Sequence, residues 1–293
     1  MCILSDEVRT VAKTQIYISA SSDNQRQLTV YANQVDSVNK WNSMILPVPF
    51  PSSIEFVNIE KYANFFTDLN NCFSDMNRLY ASANLTRSAP SNFSRTLEIF
   101  EVGSYEASIV PTIADFQYVD PSFQLHTNIQ LLTMLKQYYT ENFGFIVCRL
   151  KQGMHTYHPF AYTHKLYKPN VLFTPTRHYH VHGKDTVHTD TADWDHEIYS
   201  PSTDLSKDPG YVFTNSSSVK WNFLPKEYQW AADQRLVRWV TKGASYPNID
   251  ITTTSYYQPP TAFVPVISSP SKTIIGLPME FWERLHRIIG VLK

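Results

Sequence analysis

Apolar and polar residues alternate near the start of the chain with the two-residue period of a half-buried strand. Thr14 to Ser19 (TQIYIS) and Arg26 to Asn33 (RQLTVYAN) are rich in β-branched and aromatic residues, and the turn-forming run Ser21-Ser22-Asp23-Asn24 separates them. That order predicts a hairpin. Ser43 to Val48 (SMILPV) is a continuous apolar run of strand length, closed by Pro47, Pro49 and Pro51. The period then changes. Over Asn58 to Leu79, Phe65, Leu69, Cys72, Phe73 and Met76 recur at three and four residues, which predicts a helix.

Ala81 to Arg95 is small, polar and broken by proline, and reads as a linker. LEIFEV and YEASIV follow as two short strands around Gly103. Leu125 to Tyr139 reads as an amphipathic helix, with Leu131, Met134, Leu135 and Tyr138 on its apolar side. Phe143 to Leu150 (FGFIVCRL) reads as a buried strand. Tyr157 to Ile198 holds two or three further strands. Lys226 to Val240 reads as another helix, with Tyr228, Ala231, Ala232, Leu236 and Trp239 apolar. Pro247 to Lys272 has no helical period and is rich in Pro, Ser and Thr, as an extended arm would be. Met279 to Leu292 closes the chain as an amphipathic helix. Strands and helices do not alternate regularly, which argues against a doubly wound sheet. The expected class is α+β: a largely antiparallel sheet with three to four helices, plus an extended Pro-rich C-terminal arm and a terminal helix. The expected division is a body over 1–240 with an internal linker at 81–95, an arm over 241–278 and a terminal helix over 279–293.

Composition narrows the function classes. Charged residues are 17% of the 293, below the usual quarter, and Tyr 18 and Phe 17 help fill the gap. Such a surface suits a protein that works against partners; a genome favouring Asn, Tyr and Ile codons would produce the same bias. The net charge is −1 and no run of Lys and Arg occurs, so nucleic acid is not an expected partner. The three cysteines, Cys2, Cys72 and Cys148, are widely spaced, which fits neither a zinc knuckle nor a disulfide framework and points to a reducing compartment. Met1 to Lys13 carries Asp6 and Glu7 and lacks the apolar core of a signal peptide. No apolar run is long enough to span a membrane. The expected location is the cytoplasm, or a virion or cytosolic assembly, and not the secretory route. The eight glycines form no phosphate-cradling pattern. No GxSxG or HExxH motif is present, so no catalytic residue is assigned and the chain reads as a non-enzyme rather than an enzyme.

One segment stands above this background. Eight of the ten histidines lie between His155 and His196. Taken as one strand, Val171 to His182 (VLFTPTRHYHVH) puts His178, His180 and His182 on the same face. Two of them are close enough to share a divalent metal such as zinc; three on a straight strand span about 13 Å. A metal site would therefore use two of them and recruit Asp195, His188 or His196. Ala192 to Tyr199 (ADWDHEIY) would be the returning strand of a hairpin over residues 178–197. With His182 opposite Asp193, His180 meets Asp195 and His178 meets Glu197, pairing imidazoles with carboxylates. A one-residue slip removes the match. The competing reading is a polar hairpin with no metal. At the other end of the chain, Tyr256, Tyr257, Pro259 and Pro260 in the arm, with Phe281 and Trp282 in the terminal helix, are candidate partner-binding residues. That helix also carries Arg284, His286 and Arg287, which suits contact with a partner, peripheral contact with a membrane, or docking on its own body.

The run RQLTVYANQV followed by NSMILPVP, then VGSYEASIV, a helix, FGFIVCRLKQG, HPFAYTH and LFTPTRH, resembles in its order of elements a bacterial domain family of unknown function. ADWDHEIYS is similar to a stretch in uncharacterised proteins of protists and large DNA viruses. The resemblance implies a fold and carries over no site residue. Together these readings point to a non-enzymatic structural or assembly component of a larger intracellular complex, virion or cytoskeletal. The alternative is a metal-binding protein or metal-dependent enzyme built on the histidine-rich segment.

Overall fold

The computed structural model describes residues 3–40, 42–73, 97–103, 105–123, 128–139, 141–182, 185–187, 191–201, 212–215, 219–231 and 235–254. Among these, the strands are β1 (Ile3–Ala20), β2 (Arg26–Ser37), β3 (Asn42–Pro49), β4 (Glu55–Val57), β5 (Ile99–Val102), β6 (Tyr105–Val110), β7 (Phe143–Leu150) and β8 (Gly153–Thr156). They continue with β9 (Phe160–Lys165), β10 (Val171–Thr174), β11 (Tyr179–His182), β12 (Asp185–Val187), β13 (Thr191–Ser200), β14 (Val212–Asn215), β15 (Arg235–Pro247) and β16 (Ile251–Thr254). The α-helices are α1 (Phe65–Asn71) and α2 (Ile129–Tyr138), and shorter 3-10 turns include Lys226–Ala231. The class is α+β with a largely antiparallel sheet.

The long β1 organises the sheet by changing partners along its length. Its first residues pair with β3 and β11, and its later ones with β2 and β13. Register shifts fall between Val8 and Thr10 and between Ala12 and Gln15, and Lys13 has φ 55°. Bulges of this kind bend a strand and let it pass from one layer to another. Two layers share β1. One contains β3, β7, β6 and β5; the other contains β2, β9, β13 and β15. The interlayer core takes Leu4, Val8, Ile16 and Ile18 from β1, with Tyr31, Met44, Leu46, Ile146, Cys148 and Tyr162.

Both outer faces are also roofed. Leu131, Met134 and Leu135 of α2 pack with Phe116 and Phe123 on Ile3, Ile45, Phe145 and Val147. Phe65, Phe66 and Leu69 of α1 pack with Trp221 and Leu224 on Tyr17, Leu28, Val30 and Tyr199. A strand covered on both sides needs apolar residues at every position rather than at alternate ones, and every residue of β3 is buried. The hairpin expected from the turn run is formed by β1 and β2. Ser21 Oγ accepts the backbone N–H groups of Gln25 and Arg26 at 3.1 and 2.9 Å and closes the turn. Asn128 caps α2 by accepting the Leu131 N–H at 2.8 Å.

Residues 226–240 do not form the expected helix. The 3-10 turn ends at Ala231, and β15 begins at Arg235 and runs to Pro247, pairing with β13 and β14. The apolar positions belong to two faces: Leu236 packs under α1, while Val237 and Trp239 pack with Trp194. Apolar residues on both faces imitate a helical spacing. Residue 240 lies inside β15, and β16 pairs with β10, so residues 241–254 continue the folded body. The stretch read as a linker, the later arm from residue 255 and the terminal helix lie outside the described residues.

Close packing sets one test at Gly144, opposite Val48 in the β3–β7 pair. A Cβ there would strike Pro51 and sit 2.7 Å from the Val110 carbonyl oxygen. Gly144→Ala is expected to cost about 1–3 kcal/mol through overpacking, read as a lower urea midpoint. An unchanged midpoint would mean that the turn at Pro51 moves away freely.

Candidate functional site

The chemistry-bearing residues gather around β13, whose two faces differ. Trp194, His196 and Ile198 point to one side, and Asp195, Glu197 and Tyr199 to the other, as strand alternation requires. The first face is a buried aromatic and imidazole cluster. Trp194 lies 4.7 Å from His196, 5.4 Å from Tyr246 and 5.9 Å from Trp239 between ring centroids. His178 stacks on Trp194 at 6.0 Å and lies 5.3 Å from His196.

His178 reaches this place because the sequence VLFTPTRHYHVH is not one strand. Pro175 lacks an N–H for a ladder, and the run divides into β10 and β11. Side chains then take up the backbone between them. Asn248 accepts the His178 N–H at 2.7 Å and donates to its carbonyl at 2.9 Å, in the manner of a neighbouring strand. Asp250 accepts the N–H groups of Thr176 and Arg177.

The imidazole–carboxylate ladder is corrected by the register. β11 pairs with β12, placing His180 opposite Val187 and His182 opposite Asp185. β13 pairs with β1 and β15, placing Asp195 opposite Lys242 and Glu197 opposite Val240. Of the predicted metal residues, His178 is buried against Trp194, while the Asp195 carboxylate is held by the backbone of β1. The side chains of His180 and His182 lie outside the described residues. Among the described residues, no group of three or more His, Cys, Asp or Glu is placed to hold a metal ion. Tyr256, Tyr257, Pro259, Pro260, Phe281 and Trp282 also lie outside the described residues.

The second face of β13 is an open groove. Lys13, Thr14, Gln15, Asp195, Glu197, Val240 and Thr241 line a space of about 220 Å³. Asp195 accepts the N–H groups of Lys13 and Thr14 at 2.7 and 3.1 Å, which fixes the left-handed residue at the bulge. Glu197 accepts from Gln15 Nε2 at 2.9 Å, Tyr199 Oη at 2.9 Å and Arg238 Nη2 at 3.1 Å. Burial alone would raise the Glu197 pKa. The hydrogen bonds and the nearby Arg238 charge outweigh it and hold the carboxyl below its ordinary value. The Glu197 carboxylate is therefore a committed acceptor, in the wrong state for a general acid. One row further along the same face, Tyr17 and Tyr199 are covered by Phe65, Phe66, Phe73 and Trp221. At the groove the cover ends, and Val240 is 38% exposed.

A third histidine is also buried. His164 on β9 is buried, stacks 5.9 Å from Tyr162 and donates Nδ1–H to the Lys165 carbonyl at 2.8 Å. Burial pushes its pKa down to about 4. The folded value lies below the unfolded value of about 6.5, so the unfolded chain binds the extra proton first. Stability linked to His164 is complete above about pH 6.5 and is lost as pH falls towards 4, by about 3 kcal/mol. His164→Gln is expected to flatten the fall in unfolding free energy across that interval. A slope equal to that of the unsubstituted protein would refute the assignment.

No family model matches the sequence. Among solved structures, the chain is similar to baculovirus P35 at 13% identity and a TM-score of 0.48, over 87% of this chain and 99% of that one. It is also similar to a mutated baculovirus P35 after caspase cleavage, at 12% identity and a TM-score of 0.44, covering 84% and 98% of the two chains. P35 in the caspase-8/P35 complex gives 12% identity and a TM-score of 0.44, covering 83% and 96%. No helix among the described residues is long and apolar enough to cross a membrane.

Proposed function

We propose that the chain is a non-enzymatic protein-binding component of an intracellular assembly, in the cytoplasm or within a virion, and that the groove over β1, β13 and β15 is its contact surface. The observation that carries this reading is the break in cover along one sheet face. α1 and the segment around Trp221 roof Tyr17 and Tyr199, whereas Gln15, Glu197 and Val240 in the next row are left open. The groove is half open, and its polar groups are already positioned by internal hydrogen bonds around an apolar side chain. A preorganised surface of that kind loses little side-chain entropy when a protein docks on it. It lacks the enclosure with which a small-molecule site buries its ligand. The low overall charge and high Tyr content of the chain agree with this use.

The test pairs capture with cross-linking. Protein isolated from its source cells is treated with an amine-reactive cross-linker, and Lys13 is expected to join a partner protein. Val240→Lys, at an exposed position, is expected to reduce that capture at least tenfold while leaving the unfolding midpoint within about 0.5 kcal/mol in equivalent stability. A partner retained undiminished by this variant, or cross-linked only elsewhere, would overturn the assignment of the groove.

A further inference from the structure

We draw no further inference here: the strongest candidate, the outer edge of β5 with its exposed Ile99, carries nothing because nothing in the structure shows what covers it.

Discussion

Trp194→Ala is expected to destabilise the protein by about 3–5 kcal/mol, with the unfolding midpoint in denaturant falling accordingly and the m-value unchanged. Trp194 is 2% exposed and touches four rings: His178, His196, Trp239 and Tyr246. Those rings come from the break after β10, from β13 itself and from both halves of β15, so the indole joins segments that are distant in the chain. Removing it leaves a cavity that the stiff neighbouring rings close only partly. Trp194→Phe separates the packing of the ring from the indole N–H. Trp194 Nε1 is buried and finds no hydrogen-bond acceptor among the described residues. The phenylalanine variant loses some contact area but also removes a buried donor, and each such donor costs about 1–3 kcal/mol when unsatisfied. Its expected loss is therefore well below that of alanine. Equal losses for the two variants would show that the N–H is satisfied and that indole shape is what the cluster requires. A loss below about 1 kcal/mol for alanine would mean that the cluster is not packed as described.

The sheet was legible wherever local pattern and tertiary role agree. The β1–β2 hairpin follows from alternation and a turn whose Ser21 hydroxyl closes it. β3 and β7 follow from short apolar runs because both are covered on two faces. β15 was not legible as a strand. Leu236 and Trp239 are three residues apart and apolar because they serve opposite faces, and no single-chain period distinguishes that from one helical stripe. The β-branched Val237, Val240 and Thr241 were the available signal.

The site was less legible than the fold because its contacts are long-range. The alternation of Asp195 and Glu197 with Trp194 and His196 could be read from ADWDHEIY, but their partners could not. The hydrogen bond that the Lys13 N–H donates to Asp195 spans 182 residues, and depends on β1 running parallel to β13. Sequence reasoning joined β13 to its near neighbour β11 instead, since consecutive strands often pair. Pro175 marked the end of β10 and could have warned against one continuous strand. Asn248 and Asp250 fell in the stretch read as an extended arm, which gave no sign that their side chains hold residues 176–178.

Asp250→Ala is the other large effect, at about 3–5 kcal/mol. Asp250 Oδ1 accepts the backbone N–H groups of Thr176 and Arg177 at 2.9 and 3.0 Å, and Oδ2 accepts the Tyr139 hydroxyl at 2.6 Å. The Arg177 Nε lies 3.8 Å away, with both side chains 10% exposed. Burial, and then the Asp250 charge, hold the Tyr139 pKa well above its ordinary value, so the phenol remains a donor throughout the accessible pH range. Alanine would leave two backbone donors and a phenol without their acceptor, and a nearly buried guanidinium without the carboxylate charge beside it. Arg177 would keep its bond to the Asn248 carbonyl at 2.6 Å and its place 3.7 Å from the Tyr138 ring centre. These offset only part of the cost of an uncompensated charge. Asp250→Asn retains an acceptor for the two N–H groups and loses the charge, so its loss should be smaller. Tyr139→Phe removes one hydrogen bond and should cost about 1 kcal/mol. Hydrogen exchange distinguishes the local consequence from global unfolding. Because Asp250 precedes β16, and residues 176–178 follow β10, the alanine variant should lose amide protection first in the β10–β16 pair. Protection lost evenly across β3 and β7 instead would show that this carboxylate stabilises the whole sheet and not one junction.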